Sequence, residues 1–295
     1  MPKITVAGSI STDFVVETDK RPSVGETVEG RTFTTSFGGK GANQAIAAAR
    51  AGAETTMLGA VGDDIFGEKL VMNFEENEVD SSCVERVTQS SGSAFITLSK
   101  GDNSIIYIPG ANNSYSPAMI DKVLKGTHII QESDMVLVQN EIPEETVNYL
   151  IRTCNKLNIP VLLNPAPARK LGNKLIEQVT LLTPNESEFD ILFPEMDLNK
   201  AVESYPNKLI VTLGSNGVVF HDGQEIQFIP AHKVKNVVDT TGAGDTFNGA
   251  FAYAYSSGLS IKDSIRFGNA AASLSIQKNG AQEGAPSLEQ IKSVI

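Results

Sequence analysis

Short apolar runs, many of them β-branched, alternate along the chain with stretches of helical periodicity. Strands are predicted at residues 4–10, 55–61, 135–139, 160–164, 180–183 and 208–213. Helical patterns follow residue 42, cover 65–78 and 144–157, and resume after Asn185. Apolar strands separated by helices are typical of βαβ units. We therefore predict an α/β fold of three layers (αβα), with a mostly parallel central sheet between two layers of helices.

Two regions interrupt this rhythm. Residues 13–37 alternate apolar and polar positions without a helical period, and residues 93–108 form two alternating runs joined by Lys-Gly-Asp-Asn, which predicts a hairpin. Ligands of α/β sheets bind at the carboxyl ends of the strands. We expect a single domain over 1–295 in which these two segments form a small β-sheet lid over that edge.

Charge and composition narrow the partners. The chain carries 24 Lys+Arg against 35 Asp+Glu, a formal net charge of −11, which argues against nucleic acid or anionic membrane as a partner. No apolar run approaches the roughly 18 residues of a membrane span, and the N-terminus resembles a strand more than a secretory signal. Cys83 and Cys154 have neither disulfide-framework nor zinc-site spacing. We expect a cytoplasmic protein.

A Gly-rich turn at 237–251, VVDTTGAGDTFNGAF, is the most informative segment. A strand-like run leads into the turn, and a helix is predicted to start near Asp245. Backbone N–H groups of Gly242, Ala243 and Gly244 would point out of that helix start, where negative charge is favoured. Asp245 would be well placed to take a proton from a hydroxyl that attacks a phosphorus held there. Taken alone, the segment fits an ordinary N-cap and tight turn equally well.

A second Gly-rich turn, FGGKGANQAIAAAR at 37–50, stands before an Ala-rich helix. Such turns bind anions or polyols through backbone amides, and Asn43 adds an amide that both donates and accepts. It is not a G-x-x-x-x-G-K-[ST] loop, because Gly41 follows Lys40 where that loop has Ser or Thr. No G-x-G-x-x-G follows the first strand, so a dinucleotide-binding oxidoreductase loses its main support.

GGKGAN near residue 40 and DTTGAGDTFNGAF near residue 240 together resemble the ribokinase (PfkB-type) family of carbohydrate kinases. Further segments occur in the family's order: GSISTD at 8–13, EIP at 141–143, NPAPAR at 164–169, TPNESE at 183–188, TLGSNG at 212–217 and GNAAASLSIQKNGAQ at 268–282. The resemblance covers nearly the whole chain. It implies a ribokinase-like catalytic domain that transfers phosphate from ATP to an alcohol group of a sugar.

The resemblance also implies the residues that handle the sugar. Asp245 would be the catalytic base, and the amides of Gly242, Ala243, Gly244 and Asp245 would form the anion hole. The substrate-binding positions of the family fall on Ser11, Asp13, Gly39, Lys40, Gly41, Asn43, Glu141 and Asp245. Many members have Asn where this chain has Ser11, a departure that bears on the choice of sugar.

The nucleotide and metal positions follow in the same way. Asn185 and Glu188 match the N-x-x-E element that acts around Mg²⁺ and the phosphates of ATP. The remaining ATP-binding positions fall on Thr212, Gly214, Ser215, Gly217, Gly244 and Asn269. A monovalent-cation site for K⁺ would use Asp239, Thr241 and the backbone carbonyls of Ser275, Lys278, Gly280 and Gly284.

The activity implied by the resemblance is ATP-dependent phosphorylation of D-ribose at its 5-hydroxyl, giving D-ribose 5-phosphate and ADP. NPAPAR and GGKGANQA are most similar to the ribose-specific members. The alternatives are another sugar or nucleoside kinase of the family, such as a deoxyribose kinase, and a non-catalytic sugar-binding protein. An isolated small sheet is marginal in water, so we also expect a homodimer that pairs through the lid.

Overall fold

The computed structural model describes residues 1–100 and 102–295. The strands are β1 Lys3–Ala7, β2 Ser11–Thr18, β3 Gly30–Gly38, β4 Glu54–Gly62, β5 Val79–Asp80, β6 Val84–Val87, β7 Gly92–Ser99, β8 Asp102–Ile108, β9 Met135–Gln139, β10 Val161–Asn164, β11 Leu181–Leu182, β12 Ile210–Thr212, β13 Gly217–His221 and β14 Ile226–Pro230. The α-helices are α1 Lys40–Arg50, α2 Ile65–Glu76, α3 Pro117–Gly126, α4 Glu144–Lys156, α5 Asn173–Gln178, α6 Glu186–Leu192, α7 Leu198–Ser204, α8 Ala243–Ser256, α9 Ile261–Ser275 and α10 Leu288–Lys292. Short 3₁₀ helices cover Gly110–Ser114 and Gly214–Asn216.

The central sheet has the strand order β11-β10-β9-β1-β4-β5, with β6 also paired to β4, and all these pairs are parallel. Parallel bridges from Leu182 to Leu209 and from Asn185 to Thr212 continue it toward β12, which forms an antiparallel sheet with β13 and β14. The predicted α/β fold with a mostly parallel central sheet is confirmed. The first strand is shorter than predicted, because the chain leaves the sheet after Ala7.

Alternate residues of the central strands enter two separate cores. Val6, Met57 and Leu137 pack into one core with α1 and α8, while Val136 and Val138 pack into the other with α3 and α4. Side chains on a strand point to opposite faces in turn, so these two cores lie on the two faces of the sheet. The three-layer arrangement follows from this alternation.

Helices α1 and α8 pack closely on one face of the sheet. A Cβ atom at Gly249 would lie 2.6 Å from the carbonyl oxygen of Gln44 and 2.8 Å from the backbone nitrogen of Ala48. Because no side chain fits there, the backbone of α8 at Gly249 lies directly against the backbone of α1. This approach places their N-terminal turns side by side at the carboxyl edge of the sheet.

A separate four-stranded sheet has the order β3-β2-β7-β8. Its outer pairs are antiparallel, but β2 and β7 in the middle are parallel. The turn expected between the last two strands includes Gly101, which lies outside the described residues. That this sheet serves as a lid of a single catalytic domain stays a prediction. Among the helices that the structure describes, none has the length and apolar character needed to cross a membrane.

The two faces of the small sheet differ in chemistry. Asp13, Ala94 and Tyr107 stand opposite one another in register, on one face. The next row, Phe14, Phe95 and Ile106, lies on the other face, where the rings of Phe14 and Phe95 stack at 5.0 Å. We call these the inner and outer faces.

Candidate active site

The residues predicted to bind the sugar come together at the carboxyl edge of the central sheet. Asp13 lies on β2, Lys40 opens α1, Glu141 follows β9, and Asp245 lies in the first turn of α8. The inner face of the small sheet borders this region, since the charges of both Glu141 and Asp13 act on the hydroxyl of Tyr107. The structure thus brings together segments that are far apart in the sequence.

Both Gly-rich turns require glycine for geometric reasons. Gly39 caps α1 with φ 91°, and a Cβ atom there would lie 2.7 Å from the carbonyl oxygen of Ser9. Gly242 caps α8 with φ 74°, and its Cβ atom would lie 2.5 Å from that of Ala281. L-residues rarely adopt these backbone angles. Each turn therefore leads into a helix N-terminus, which is suited to negative charge. At the start of α1 the N–H groups of Lys40 and Gly41 already donate to Glu141 and Ser9, and at the start of α8 the N–H group of Ala243 donates to the carbonyl oxygen of Thr240.

Asp245 is 8% exposed and is held by side chains of α1. Nδ2 of Asn43 donates to Oδ2 of Asp245 at 2.9 Å, and Nε2 of Gln44 donates to Oδ1 at 2.9 Å. The charge of Asp245 raises the pKa of Lys40 above its usual value, against the opposing effect of burial. The site therefore holds an oriented carboxylate facing a protonated ammonium group.

Two further carboxyl groups belong to the residues that the sequence predicts to bind the sugar. Oε2 of Glu141 accepts hydrogen bonds from the backbone N–H of Lys40, at 3.1 Å, and from the hydroxyl of Ser9. Burial raises the pKa of Glu141, although the charge of Lys40 opposes the rise. Burial and then the charge of Glu141 raise the pKa of Asp13 to about 6, against a hydrogen bond from Ser11. A pair of acceptors of this kind suits a ligand with several hydroxyl groups.

The predicted nucleotide residues lie on the neighbouring elements. Asn185 is the N-cap of α6, not a residue of the helix itself, and it forms a capping box with Glu188 in which each side chain accepts from the other's backbone N–H, at 2.8 and 2.9 Å. Thr212 pairs with Asn185, and the turn with Gly214, Ser215 and Gly217 follows it. Burial raises the pKa of Glu188, while the charge of Lys40 lowers it. Glu188 is therefore close enough to Lys40 for the two charges to interact.

Asn269 takes a different place. Its Nδ2 donates to the carbonyl oxygen of Pro230 at 3.1 Å, at the end of β14, and the residue is 9% exposed. It is therefore a residue of α9 that fastens the antiparallel extension of the sheet. A role toward ATP is not visible in this contact and stays a prediction.

The predicted cation residues lie on two facing segments. Oδ1 of Asp239 accepts from the backbone N–H of Thr241 and Oδ2 from that of Gly280, both at 2.9 Å. Burial raises the pKa of Asp239, but these hydrogen bonds outweigh it and hold the pKa below its usual value. A Cβ atom at Gly284 would lie 2.6 Å from the carbonyl oxygen of Ser275 and 3.0 Å from that of Gly280. Carbonyl oxygens thus gather around a space that only glycine leaves open, and such hard oxygen donors fit an alkali cation.

A metal cage of side chains is a separate question. In residues 1–100 and 102–295, no three His, Cys, Asp or Glu side chains gather closely enough to hold a metal ion. Magnesium in phosphoryl-transfer sites usually takes one or two carboxylates and fills its other positions with water and phosphate oxygens. Glu188 fits this pattern, since the capping box uses only its Oε2.

Several buried polar residues of the site were not predicted. Gln139 and Asn164 end β9 and β10, and both surround Gln44, while Gln282 donates to Oδ1 of Asn43 at 2.9 Å. Oδ1 of Asn112 accepts from the backbone N–H of Ile10 at 2.9 Å, which fixes the chain between β1 and β2. The sequence holds one signal for the first two: a polar residue ends an otherwise apolar strand at the edge where ligands bind.

Comparison with known proteins agrees with this geometry. The profile of the pfkB family carbohydrate kinases matches residues 1–288. A ribokinase of Lactococcus lactis is 52% identical, covering 99% of this chain and 96% of that protein, and one of Bacillus subtilis is 48% identical over all of both. The structure of Arabidopsis thaliana ribokinase complexed with ribose and ATP has a TM-score of 0.91 and 33% identity, covering 99% of this chain and 98% of that one.

Replacing Asp13 by Asn should stabilise the ligand-free protein at neutral pH. The folded state binds a proton on Asp13 more tightly than the unfolded state, whose carboxyl ionises near pH 4. The wild type therefore loses stability as pH rises from about 4 to about 6, by about 2 to 3 kcal/mol. We expect Asp13→Asn to melt at higher temperature than the wild type at pH 7.5, and the difference to shrink toward pH 4.

The matched control is Asp102→Asn, which changes an exposed carboxyl of the same small sheet. Its melting temperature should follow that of the wild type throughout the pH series. A constant difference between Asp13→Asn and wild type at all pH values would contradict the electrostatic origin.

Proposed function

The chain belongs to the pfkB family of carbohydrate kinases, and on that premise we propose that it transfers phosphate from ATP to the 5-hydroxyl of D-ribose, giving D-ribose 5-phosphate and ADP. The observation that carries the proposal is the buried carboxylate of Asp245, held at the N-terminus of α8 beside Lys40. The ribokinase relatives, about half identical over nearly the full length, give the sugar and the phosphate donor.

The residues on the sugar side have distinct tasks. Asp13 and Glu141 accept hydrogen bonds from sugar hydroxyls, Gly39, Gly41 and the Asn43 amide line the same site, and Ser11 fixes Asp13. These contacts leave one primary hydroxyl to face Asp245. Several converging hydrogen bonds to one ring hold that hydroxyl in place for attack, which is a large part of catalysis between two bound molecules.

The transfer itself then follows. Asp245 accepts the proton of the 5-hydroxyl as the oxygen attacks the γ-phosphorus of ATP. The new oxygen–phosphorus bond forms while the bond to the bridging oxygen breaks, and ADP keeps the electron pair. Backbone N–H groups of Gly242, Ala243 and Gly244, with the ammonium of Lys40, face the charge that develops on the phosphoryl oxygens. Asn185, Thr212, Gly214, Ser215, Gly217 and Asn269 bind the nucleotide.

Two metal ions complete the proposal. Glu188, with Asn185, would hold Mg²⁺ together with water and ATP phosphates, and a bound Mg²⁺ neutralises phosphate charge. Asp239, Thr241 and the carbonyls of Ser275, Lys278, Gly280 and Gly284 would hold K⁺. The K⁺ residues lie next to the Gly242 turn, since Gly242 packs on Ala281. A cation there would fix the position of the anion hole.

The small sheet is proposed to act as the lid of this single catalytic domain and as its dimer contact. Its inner face carries Asp13 toward the sugar, whereas its outer face exposes apolar side chains, among them Phe33 at 64% and Ile106 at 68%. Exposed apolar residues on one face of a small sheet favour a symmetric partner. We propose a homodimer in the cytoplasm, and no nucleic-acid or membrane partner is proposed.

Replacing Asp245 by Asn should abolish most of the kinase activity. The amide keeps the shape but cannot accept the proton, so kcat for ribose should fall about 10²- to 10⁴-fold, measured as ADP release with ATP and Mg²⁺. Asp190→Asn, at an exposed position of α6, is the control and should keep wild-type kcat. Wild-type turnover by Asp245→Asn would refute the mechanism. A panel of pentoses tests the sugar, and a higher kcat/KM for deoxyribose would replace ribose as the substrate.

Potassium should raise the activity through the carbonyl-lined space. Exchange of K⁺ for tetramethylammonium at constant ionic strength should lower kcat on the order of 10- to 100-fold, because the anion hole shifts. Gly284→Ala places a methyl group in that space, so this variant should have low kcat in either salt and no rise in melting temperature on adding K⁺. Gly172→Ala, where a Cβ meets nothing within 4 Å, should respond like the wild type. Equal turnover of the wild type in both salts would argue against the site.

A charge on the outer face should separate the dimer. We expect a dimeric mass for the wild type by light scattering at micromolar concentration and a monomeric mass for Ile106→Glu. Leu157→Glu, at an exposed apolar position after α4, should stay dimeric. A monomeric wild type would rule out the dimer.

A further inference from the structure

The side-chain amide of Gln44 lies at the centre of a buried polar network beneath Asp245. Gln44 and Gln139 are both 0% exposed, and Asn164 is 7% exposed. Nε2 of Gln44 donates to Oδ1 of Asp245 at 2.9 Å and to Oδ1 of Asn164 at 3.0 Å. Oε1 of Gln44 accepts from Nε2 of Gln139 at 2.6 Å. Each hydrogen-bonding position of this amide is therefore occupied except one lone pair of Oε1.

The orientation of the network follows from the charge of Asp245. An ionised carboxylate only accepts hydrogen bonds, so Gln44 must turn its NH₂ group toward it and its oxygen toward Gln139. Nδ2 of Asn164 donates to the carbonyl oxygen of Thr183 at 3.0 Å, which turns Oδ1 of Asn164 toward Gln44. The amide of Gln44 is thus locked from two sides, by the ends of β9 and β10, in the orientation that presents a donor to Asp245.

The other oxygen of the carboxylate has a different environment. Oδ2 of Asp245 is bonded to Asn43, which lies toward the sugar site with Lys40 and Gly41 at the start of α1. Gln44 points instead to the sheet and away from the substrate region, where Gln139 and Asn164 bury it. Gln44 can therefore hold the carboxylate without touching the sugar.

We propose that Gln44 is a positioning residue for the reaction: its amide, oriented by Gln139 and Asn164, fixes the carboxylate plane of Asp245 and favours the ionised form that accepts the proton. This inference rests on the proposed kinase function. A hydrogen bond donated to a charged group is stronger than one between neutral groups, and a buried carboxylate without such a donor is costly. The bond thus keeps the base both charged and aimed at the sugar hydroxyl.

The charged groups that act on Asp245 come from three other places. Lys40 lies at the start of α1, Glu141 follows β9, and Glu188 lies on α6. All three remain unchanged when an amide beneath Asp245 is replaced. A change in the pH dependence of such a variant therefore reports the lost hydrogen bond and not a lost charge.

The test replaces Gln44 by Met, which keeps the length of the side chain and removes both the NH₂ group and the carbonyl oxygen of its amide. We expect kcat for ribose to fall about 10- to 100-fold with little change in KM, because the sugar contacts remain. We also expect the acid side of the pH–kcat profile to move to higher pH, since the ionised base is less favoured. Melting temperatures are measured alongside, as a structural role alone would lower them without moving the pH profile.

Gln139→Met supplies the second variant, because it removes only the group that orients Gln44. It should shift kcat and the pH profile in the same direction, by less. Gln139 acts through Gln44, so the double variant should have the kcat of Gln44→Met alone. If Gln44→Met fails to fold, Gln139→Met still tests the inference.

The outcomes are separable. If the wild type is active and Gln44→Met has a lower melting temperature but an unchanged kcat and pH profile, the proposed role of Gln44 is wrong and the kinase function still stands. Fully additive effects of the two variants on kcat would also contradict it. A wild type without ATP-dependent ribose phosphorylation would overturn the proposed function, and the inference with it.

Discussion

Burial of the charge on Asp245 is the constraint on which the rest of the site depends. An ionised carboxylate taken out of water costs several kcal/mol unless it is paired and hydrogen-bonded. Its partners, Asn43, Gln44 and Lys40, all lie in the first turns of α1. They reach it only because Gly249 lets α8 approach the backbone of α1 closely. One missing side chain in the middle of a helix thus sets the geometry of the chemistry at its end.

The sequence predicted the parts of the fold that are governed by local pattern. The runs that form β4, β9 and β10 are apolar and bounded by turn residues. Such continuous apolar runs are typical of parallel strands that are buried on both faces. In the small sheet, the hairpin of β7 and β8 was predicted and is confirmed, but the pairing of β2 with β7 was not predicted. This middle pair is parallel and joins segments some distance apart in the chain, and no local pattern encodes a pairing between distant strands. The two-residue strand β5 is likewise too short to leave a periodic signal.

The candidate site shows the same division. Gly39 and Gly242 could be singled out because their turns need left-handed backbone angles that leave a mark in the sequence. Gln44, Gln139 and Asn164 could not be assigned a task, because each looks like an ordinary polar residue in its own segment. They have meaning only once three elements meet around one carboxylate. The position of a polar residue at the end of a strand indicates that it can lie near a site. Which group its amide hydrogen-bonds to is decided by tertiary packing.

A net charge of −11 opposes the approach of an anionic ligand such as ATP. In the site, the acidic side chains and the positively charged groups lie in different parts. Burial raises the pKa values of Asp13 and Glu141, which means that their ionised forms are destabilised. Hydroxyl groups that donate hydrogen bonds to these carboxylates would offset that cost. The proposed phosphate side instead presents the N-terminus of α8 and the ammonium group of Lys40, which are sources of local positive potential. A neutral polyol can donate hydrogen bonds to these carboxylates without adding negative charge. The acidic groups that repel a free anion therefore favour a neutral sugar. Net charge therefore limits the partners of the molecule, while a few ångströms of local geometry decide where an anion binds.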